Sequence, residues 1–314
     1  MLQTPVALLI FNRPDTTRKV FEAIRQAKPI RLYVAADGPR PRKAGEAERC
    51  NEARQIAMAV DWPCEVKTLF REKNLGCKRA VSSAISWFFE HEEQGIILED
   101  DCLPHADFFW FCEELLERYA EDERIMAITG DNFQNGQKRG NASYYFSKYN
   151  HCWGWASWRR AWQHYRVDLP FWPAWSKSAE WRATHPDPVE RRYWAMIFEA
   201  VRADKIDSWC YQWTASVWHQ KGLTVTPNVN LVSNIGFGPD ATHTTSPDSS
   251  LAGMQAQGLG CLIHPSCVEQ DTEADRYVFD HHFGGRYLRF PWSVLRLPRR
   301  IAGGVYRRLR ESFA

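Results

Sequence analysis

Short apolar runs alternate with amphipathic segments through residues 1–130, which predicts strands that alternate with helices. The continuous apolar run at 6–11 predicts a strand that is buried on both faces. Further strands are predicted at 31–36, 66–70, 95–98 and 125–129. One helix is predicted to begin near Pro14, a second to end near residue 60, and two more to span 76–89 and about 106–119. This alternation indicates parallel pairing through right-handed crossovers. The predicted fold class is therefore α/β, with a mostly parallel twisted sheet and helices on both faces.

Polar clusters directly follow several of the predicted strands. The clusters are Asn12-Arg13, Asp37-Gly38 and Glu99-Asp100-Asp101. In open parallel sheets, ligands bind in the crevice outside the carboxyl ends of the strands. The positions of the three clusters therefore predict a ligand site at this edge of the sheet.

The acidic triplet Glu99-Asp100-Asp101 is the strongest candidate for chemistry. Three adjacent carboxylates repel one another, and their hard oxygens suit Mg²⁺ or Mn²⁺. A diphosphate group of a substrate would add further oxygens, and the metal would offset the charge that develops on a diphosphate leaving group. The alternative is purely structural, because acidic residues are common where a helix begins, and a helix is predicted after Pro104.

Composition narrows the class of protein. The chain has 314 residues, 44% of them hydrophobic, which is enough for one large α/β domain or two small ones. A formal net charge of +2 argues against nucleic acid as the partner. The nine cysteines lack pair spacing and are expected to be reduced. No signal-like N-terminus or bilayer-spanning apolar run is evident, so we expect a cytoplasmic protein.

Tryptophan is unusually dense in the second half of the chain. There are 15 in all, and eleven lie between Trp153 and Trp218. Such density predicts either a packed core or an aromatic-lined cleft. Three residues in this region, Trp153, Gly154 and Trp155, are candidates for an acceptor platform, that is, a surface on which the molecule that receives a transferred group would bind. The glycine would let a ligand or another backbone come close.

An ordered series of motifs resembles the GT-A glycosyltransferases over roughly residues 5–245. Glu99-Asp100-Asp101 is similar to the acidic triplet of the N-acetylglucosaminyltransferase I type, and Phe11-Asn12-Arg13-Pro14 resembles the end of that type's first strand. Asn74-Leu75-Gly76 resembles a segment of the family 2 glycosyltransferases. The segments at 152–162 and 230–238 resemble bacterial nucleotide-diphospho-sugar transferases.

The resemblance implies a GT-A-like fold and a nucleotide-diphosphate sugar donor, namely a UDP-sugar. It also implies that the sugar is transferred with inversion to a glycan or lipid-linked acceptor, and that the transfer depends on Mn²⁺ or Mg²⁺. Asp101 would bind the metal, with His243 as a second candidate ligand. Glu99 and Asp100 would hold the ribose or act through water. The remaining donor-site residues that it implies are Asn12, Asp37 and Asn74 toward the nucleotide, and Arg13, Lys78 and Arg79 toward the diphosphate.

A general base is needed to deprotonate the acceptor hydroxyl in an inverting reaction. We predict that Asp207 is this base, because it stands in an aromatic setting and resembles the Asp before a Trp in the N-acetylglucosaminyltransferase I type. Asp168 and Asp131 are the rival candidates. Either would follow the acidic triplet along the chain.

The predicted organisation is one glycosyltransferase domain at 1–283, with a donor half at about 1–131 and an acceptor half at about 132–283, followed by a basic tail at 284–314. Residues 286–310 contain eight arginines and no acidic residue, interleaved with apolar side chains. This composition fits contact with an anionic membrane surface. Packing of the tail on the domain is the alternative.

Two other functions fit parts of the pattern. A sugar-1-phosphate nucleotidyltransferase also uses acidic residues and Mg²⁺, but a glycine-rich loop is expected after its first strand, where this chain has Asn12-Arg13-Pro14. A non-catalytic glycan-binding module would use the tryptophans alone. It predicts glycan binding without a nucleotide and without sensitivity to chelators.

Overall fold

A computed structural model of the chain describes residues 1–238, 251 and 254–292. The strands are β1 Val6–Ile10, β2 Arg31–Ala36, β3 Glu65–Phe70, β4 Gln94–Glu99, β5 Cys102–Pro104, β6 Ile125–Thr129, β7 Tyr144–Ser147, β8 Trp155–Trp158, β9 Leu223–Pro227 and β10 Val232–Asn234. The α-helices are α1 Pro14–Ala27, α2 Glu46–Ala57, α3 Gly76–His91, α4 Ala106–Arg118, α5 Arg159–Trp162, α6 Trp172–Trp175, α7 Ala179–Thr184, α8 Pro188–Arg202, α9 Cys210–His219 and α10 Thr272–His281. A 3₁₀ helix follows at Gly285–Leu288.

An eight-stranded sheet with the order β3-β2-β1-β4-β8-β6-β9-β7 forms the centre of the molecule. β1, β2, β3 and β4 pair in parallel, as do β6 and β9. β8 is antiparallel to both of its neighbours, and β7 is antiparallel to β9. The prediction of an α/β fold with a mostly parallel sheet is confirmed.

The apolar runs form strands because the sheet covers them on both faces. Every residue of β1 is buried, and β1 lies between β2 and β4. At one edge of the sheet, β3 is only partly covered, and its residues are exposed or half-buried. At the other edge, every residue of β7 is buried, so an edge position does not by itself expose a strand.

Helices lie on both faces of the sheet because the crossovers reverse direction. The connections through α1 and α2 step from β1 to β2 to β3, whereas α3 leads back past them to β4. Right-handed crossovers in opposite directions place their helices on opposite faces. Accordingly α1 packs against α2, while α3 packs against α5. The reversal between β1 and β4 opens the crevice in which ligands of such sheets bind.

Two antiparallel features bring distant segments to this crevice. β8 runs between β4 and β6 in the opposite direction, so the residues that precede it start at the edge where β4 ends. β10 pairs with β5, and the Ile235 N–H donates to the carbonyl oxygen of Asp101 at 2.8 Å. The segment after β10 thus lies against the acidic triplet, although it is more than a hundred residues away in sequence.

The tryptophan-rich region is mainly core. All eleven tryptophans from Trp153 to Trp218 are buried, none more than 7% exposed. Four of them form one cluster with ring centroids 5.1–6.4 Å apart, namely Trp155, Trp162, Trp209 and Trp213. Of the two interpretations left open by the sequence, core packing accounts for most of this density.

The beginning of the basic tail packs on the domain. Arg289 pairs with Asp187, which caps the N-terminus of α8, and with Asp280 of α10. Phe290 and Trp292 are 82% and 51% exposed. Residues 293–314 lie outside the described residues. Across the described part of the chain, no helix combines the length and apolar character that crossing a bilayer requires.

Candidate functional site

A cleft lies outside the carboxyl ends of β1, β2 and β4 and has a cavity volume of about 310 Å³. This volume is at the lower end of the range for small-molecule sites, ~300–1,000 Å³. The sequence-predicted residues on its lining are Arg13, Asp37, Asn74, Glu99, Asp100, Asp101, Trp153 and Asp207. The structure therefore brings together residues of both halves of the chain in one cleft.

The acidic triplet occupies the floor of the cleft. Asp100 accepts a hydrogen bond from the Phe11 N–H at 2.9 Å, which ties the end of β4 to the end of β1. Asp101 forms an ion pair with Arg13 at 2.6 Å between Oδ2 and Nη1. Both side chains of this pair are less than a fifth exposed, so the pair is only partly screened by water.

Burial and mutual repulsion make the triplet electrostatically unfavourable. Burial raises the pKa of Glu99 and of Asp100, and the neighbouring Asp101 carboxylate raises both further. Arg13 lowers them in part, and a side-chain hydrogen bond from Trp209 lowers the pKa of Glu99. Burial and the charge of Asp101 therefore disfavour the ionised forms of Glu99 and Asp100, and full ionisation of the triplet is unfavourable without a further cation. A divalent cation would relieve this repulsion.

The donor atoms of the triplet suit a hard cation that is shared with a substrate. Mg²⁺ in nucleotide sites is commonly held by one or two carboxylates plus phosphate oxygens. No cluster of three or more His, Cys, Asp or Glu side chains with metal-site geometry occurs in residues 1–238, 251 and 254–292. Asp101 stays the predicted protein ligand of a metal here. His243, the other predicted ligand, lies outside the described residues.

Asp37 and Asn74 line the cleft next to the start of α3. The Asp37 carboxylate accepts hydrogen bonds from the Gly38 and Leu75 N–H groups at 2.9 and 3.0 Å. The Asn74 side chain donates to the Gly38 carbonyl at 2.9 Å. Burial raises the pKa of Asp37, although these backbone hydrogen bonds lower it in part. The contacts join the loop after β2 to the loop after β3 and hold both polar side chains on the cleft lining.

Three predicted donor-site residues point elsewhere. Asn12 is buried and donates to Glu46 at 2.8 Å, and Glu46 also pairs with Arg40. Lys78 forms an ion pair with Asp204 at 2.7 Å, and Arg79 is exposed. None of the three is on the cleft lining. The structure therefore does not bring Lys78 and Arg79 onto the cleft lining with the other predicted residues.

Asp207 lines the cleft and also caps α3. Its Oδ1 accepts a hydrogen bond from the Lys78 N–H at 2.9 Å, and its Oδ2 accepts one from the Cys77 N–H at 3.2 Å. Unpaired N–H groups at a helix N-terminus attract anions, and a carboxylate from a distant loop satisfies them here. Asp207 therefore has a structural role that any catalytic role must share. The rival Asp168 is exposed and is not on the lining.

The three acceptor-platform candidates differ in their surroundings. Trp153 lies on the cleft lining and is 7% exposed. Trp155 is 1% exposed within the tryptophan core, so its faces are not available to a ligand. Gly154 has φ of +70°, and a side chain there would collide with Val232. The close approach at this glycine is made by the protein itself, which leaves Trp153 as the platform candidate.

Several cleft residues were missed by the sequence reasoning. These are Arg40, Arg71, Cys77, Cys152, Ser208, Trp209, Cys210 and Asn234. Arg71 comes directly after β3, so the rule that selected Asp37 would have found it. Asn234 and Cys152 reach the cleft through antiparallel strands, for which that rule gives no signal.

Comparison with known proteins gives only distant similarities. No protein-family model matches the sequence, and no curated protein sequence matches it. Part of the chain is similar to the solved structure of 4-diphosphocytidyl-2C-methyl-D-erythritolsynthase from Anaerococcus prevotii, with 5% identity, a TM-score of 0.36, and 71% of this chain and 88% of that chain covered. The chain is also similar to the solved structure of UDP-glucose pyrophosphorylase complexed with UDP-glucose, with 8% identity and a TM-score of 0.35. That similarity covers 72% of this chain and 90% of the other chain.

A third similarity is to HddC from Yersinia pseudotuberculosis, with 12% identity, a TM-score of 0.33, and 55% of this chain and 86% of that chain covered. Scores this low carry no argument about what this chain does. The resemblance of its motifs to GT-A glycosyltransferases stays a prediction, and so do the roles of the individual site residues.

Gly236 is a sensitive position for the geometry of the triplet. A Cβ atom at Gly236 would overlap Asp101 Oδ2 and Arg13 Nη1. We expect Gly236→Ala to displace this ion pair and to lower any activity of the cleft by ~100-fold, the effect of a misplacement of about 1 Å. Initial rates of the cleft's reaction would measure this. The control is Gly258→Ala, where the nearest atom would be 3.3 Å away, and equal rates in the two variants would contradict the expectation.

Asp131 gives a pH dependence of stability. Burial raises its pKa to about 7, although hydrogen bonds from Thr129 and from the Trp153 N–H lower it in part. An unfolded aspartate titrates near ~3.9. The folded chain therefore binds the proton more tightly, so the stability contributed by this group is complete below about pH 4 and is lost as the pH rises through 7.

Asp131→Asn removes this titration. The quantity to compare is the free energy of unfolding of the variant minus that of the unaltered chain. We expect this difference to be larger at pH 8 than at pH 5, by a few kcal/mol at most. Urea unfolding at the two pH values measures it. A difference between the two proteins that does not change with pH would show that Asp131 is not the buried acid described above.

Proposed function

We propose that the chain is a metal-dependent glycosyltransferase that transfers a sugar, with inversion, from a nucleotide-diphosphate donor to a glycan or lipid-linked acceptor. The observation that carries the proposal is the cleft at the carboxyl ends of β1, β2 and β4, in which Glu99, Asp100 and Asp101 are buried beside Arg13. Three buried carboxyl groups beside an arginine, in a cleft of this size, suit a cation and a diphosphate together. The donor proposed is a UDP-sugar.

The cleft offers different chemistry along its length. At one wall, Asp37 and Asn74 present acceptor and donor groups that suit the edge of a nucleotide base. On the floor, Asp101 would hold Mn²⁺ or Mg²⁺, and Arg13 is a guanidinium suited to phosphate oxygens. Trp153 and Asp207 come from the acceptor half, and Asp207 contacts the first turn of α3, which begins just after Asn74. The sugar to be transferred would lie near Asp101, Asp207 and Trp153.

The reaction forms a bond between the acceptor hydroxyl oxygen and the anomeric carbon, and breaks the bond between that carbon and the diphosphate oxygen. When bound, the metal would supply a positive charge that stabilises the leaving diphosphate. Arg13 would share that task. Asp207 would take the proton of the acceptor hydroxyl, for which its carboxylate must keep one lone pair directed into the cleft.

A sugar-1-phosphate nucleotidyltransferase remains the second function to be tested, because the same carboxylates could hold a metal and a nucleoside triphosphate. The two reactions release different products. A glycosyltransferase converts a UDP-sugar to UDP, whereas a nucleotidyltransferase releases pyrophosphate from a nucleoside triphosphate and a sugar phosphate.

The test is a thermal-shift screen of nucleotide-diphosphate sugars with and without Mn²⁺. A donor at 100 times its dissociation constant should stabilise the chain by ~2.7 kcal/mol, and only when the metal is present. The stabilising donors are then assayed for UDP release and for pyrophosphate release. Stabilisation by glycans alone, unaffected by EDTA, would favour the non-catalytic module and would overturn the proposal.

Contact with an anionic membrane surface belongs to the proposal for lipid-linked acceptors. It rests on the seven arginines of residues 286–310 other than Arg289, and on the exposed Phe290 and Trp292. Arg289 is already engaged with Asp187 and Asp280, so it would not be among the lipid contacts.

A further inference from the structure

A second, smaller recess opens beside the cleft. It has a volume of about 30 Å³ and shares Cys152, Trp153 and Cys210 with the cleft lining. A water molecule needs ~10–15 Å³ of such volume, so the recess has room for a small chemical group but not for a whole sugar ring. The shared residues place it next to the side of the cleft that comes from the acceptor half.

The lining of the recess contains a buried amide without a protein partner. Asn150 is 4% exposed, and neither its side-chain nitrogen nor its side-chain oxygen has a hydrogen-bond partner among the described residues. A buried polar group without a partner destabilises the folded chain, because it has lost its hydrogen bonds to water. Such a group in a native protein calls for an explanation, and a bound ligand or water is the usual one.

The other walls of the recess are mainly aromatic. The rings of Phe133, Tyr149 and Phe283 line it together with those of His151 and His282. Burial lowers the pKa of both histidines, to about 3 for His282, so both are neutral. Asp131 also lines the recess, and burial raises its pKa to about 7, so its carboxyl is partly protonated near neutral pH. The described residues that line the recess include no lysine or arginine for an anion, and their rings and the Asn150 amide suit a neutral group that has a polar part and an apolar part.

We propose that this recess binds the acetamido group of a 2-acetamido sugar. The Asn150 amide would donate to the acetamido carbonyl and accept from its N–H, which satisfies both unpartnered atoms at once. The acetamido methyl would pack on the aromatic walls. This inference rests on the proposed function in one respect only, namely whether the bound sugar belongs to the donor or to the acceptor. In the proposed function, both would lie next to the residues that the recess shares with the cleft.

The test compares sugars that differ only in the acetamido group. Dissociation constants are measured for UDP-N-acetylglucosamine and UDP-glucose with Mn²⁺, and for free N-acetylglucosamine and glucose with and without UDP. Two hydrogen bonds to Asn150 should make the acetylated member of a pair bind about 10-fold more tightly or better. Preference in the nucleotide-linked pair assigns the group to the donor, and preference in the free pair assigns it to the acceptor.

Two variants locate the preference at the recess. Asn150→Leu keeps the approximate shape and removes both hydrogen-bonding atoms, so the preference should fall to about onefold. The variant should unfold at the same temperature or higher, because Asn150 has no protein partner to lose. The matched control is Gln212→Leu, since Gln212 is also fully buried with both amide atoms unpartnered among the described residues but does not line the recess.

The outcomes separate this inference from the proposed function. Metal-dependent binding of both UDP-sugars with equal affinity would overturn the recess assignment and leave the transferase proposal intact. Failure of every nucleotide to bind, together with preference for free N-acetylglucosamine, would overturn the transferase proposal and support the recess. A preference that survives Asn150→Leu, or that Gln212→Leu also abolishes, would overturn the assignment to Asn150.

Discussion

Asp101→Asn should abolish the metal dependence of donor binding and lower the rate of UDP release by ~100-fold or more, because metal stabilisation of a leaving group contributes several kcal/mol. The side chain keeps its size but loses the negative charge that faces Arg13. UDP release from the donor found in the screen is measured with saturating Mn²⁺. The thermal shift with UDP is measured in parallel with and without Mn²⁺.

The matched control for this variant is Asp122→Asn. Asp122 also pairs with an arginine, Arg124, but stands outside the cleft. We expect its rate and its metal dependence to equal those of the unaltered chain. If Asp101→Asn keeps a Mn²⁺-dependent thermal shift with UDP, Asp101 is not the metal ligand, and Glu99 or Asp100 must be examined in its place.

Asp207→Asn should lower kcat by ~100- to 10,000-fold, the contribution of a positioned general base. An asparagine cannot take the proton of the acceptor hydroxyl, but its oxygen can still accept a hydrogen bond from the first turn of α3. The loss of stability should therefore be small, ~1 kcal/mol or less. The two readouts are kcat at saturating donor and the free energy of unfolding.

Asp204→Asn is the control for Asp207→Asn. Asp204 lies three residues earlier and pairs with Lys78 at the same end of α3, but it is exposed and off the cleft lining. It should leave kcat unchanged. A variant at Asp207 that loses stability while kcat is retained would mean that Asp207 is a helix cap only, and the base would then be sought at Asp131.

The parallel half of the fold could be predicted because its signals are local. The apolar runs at 6–11 and 125–129 correspond to β1 and β6, and the polar residues that follow β1, β2 and β4 meet in one cleft. A buried parallel strand needs an apolar run, and the carboxyl ends of such strands share one edge. For this reason Arg13, Asp37 and Asp101 could be placed near one another without a structure.

The second half could not be predicted in the same way, because its strands are short and their pairing is non-local. β8 has the sequence Trp155–Trp158 and separates β4 from β6, which no periodicity indicates. The side-chain directions of Lys78 and Arg79 depend on how α3 begins. That beginning is held by Asp207, which is over a hundred residues away. Such contacts are tertiary and leave no mark in the surrounding sequence.

The position of β8 joins the first 131 residues to the later part of the chain in one sheet. A fragment that stopped at residue 131 would lack the strand between β4 and β6, and both would become open edges, which in isolated sheets invite aggregation. The central pairing cannot form until at least residue 158 has been synthesised. Because such pairing joins residues far apart in sequence, we expect collapse to precede completion of the sheet, and gene truncations within this region to yield insoluble protein.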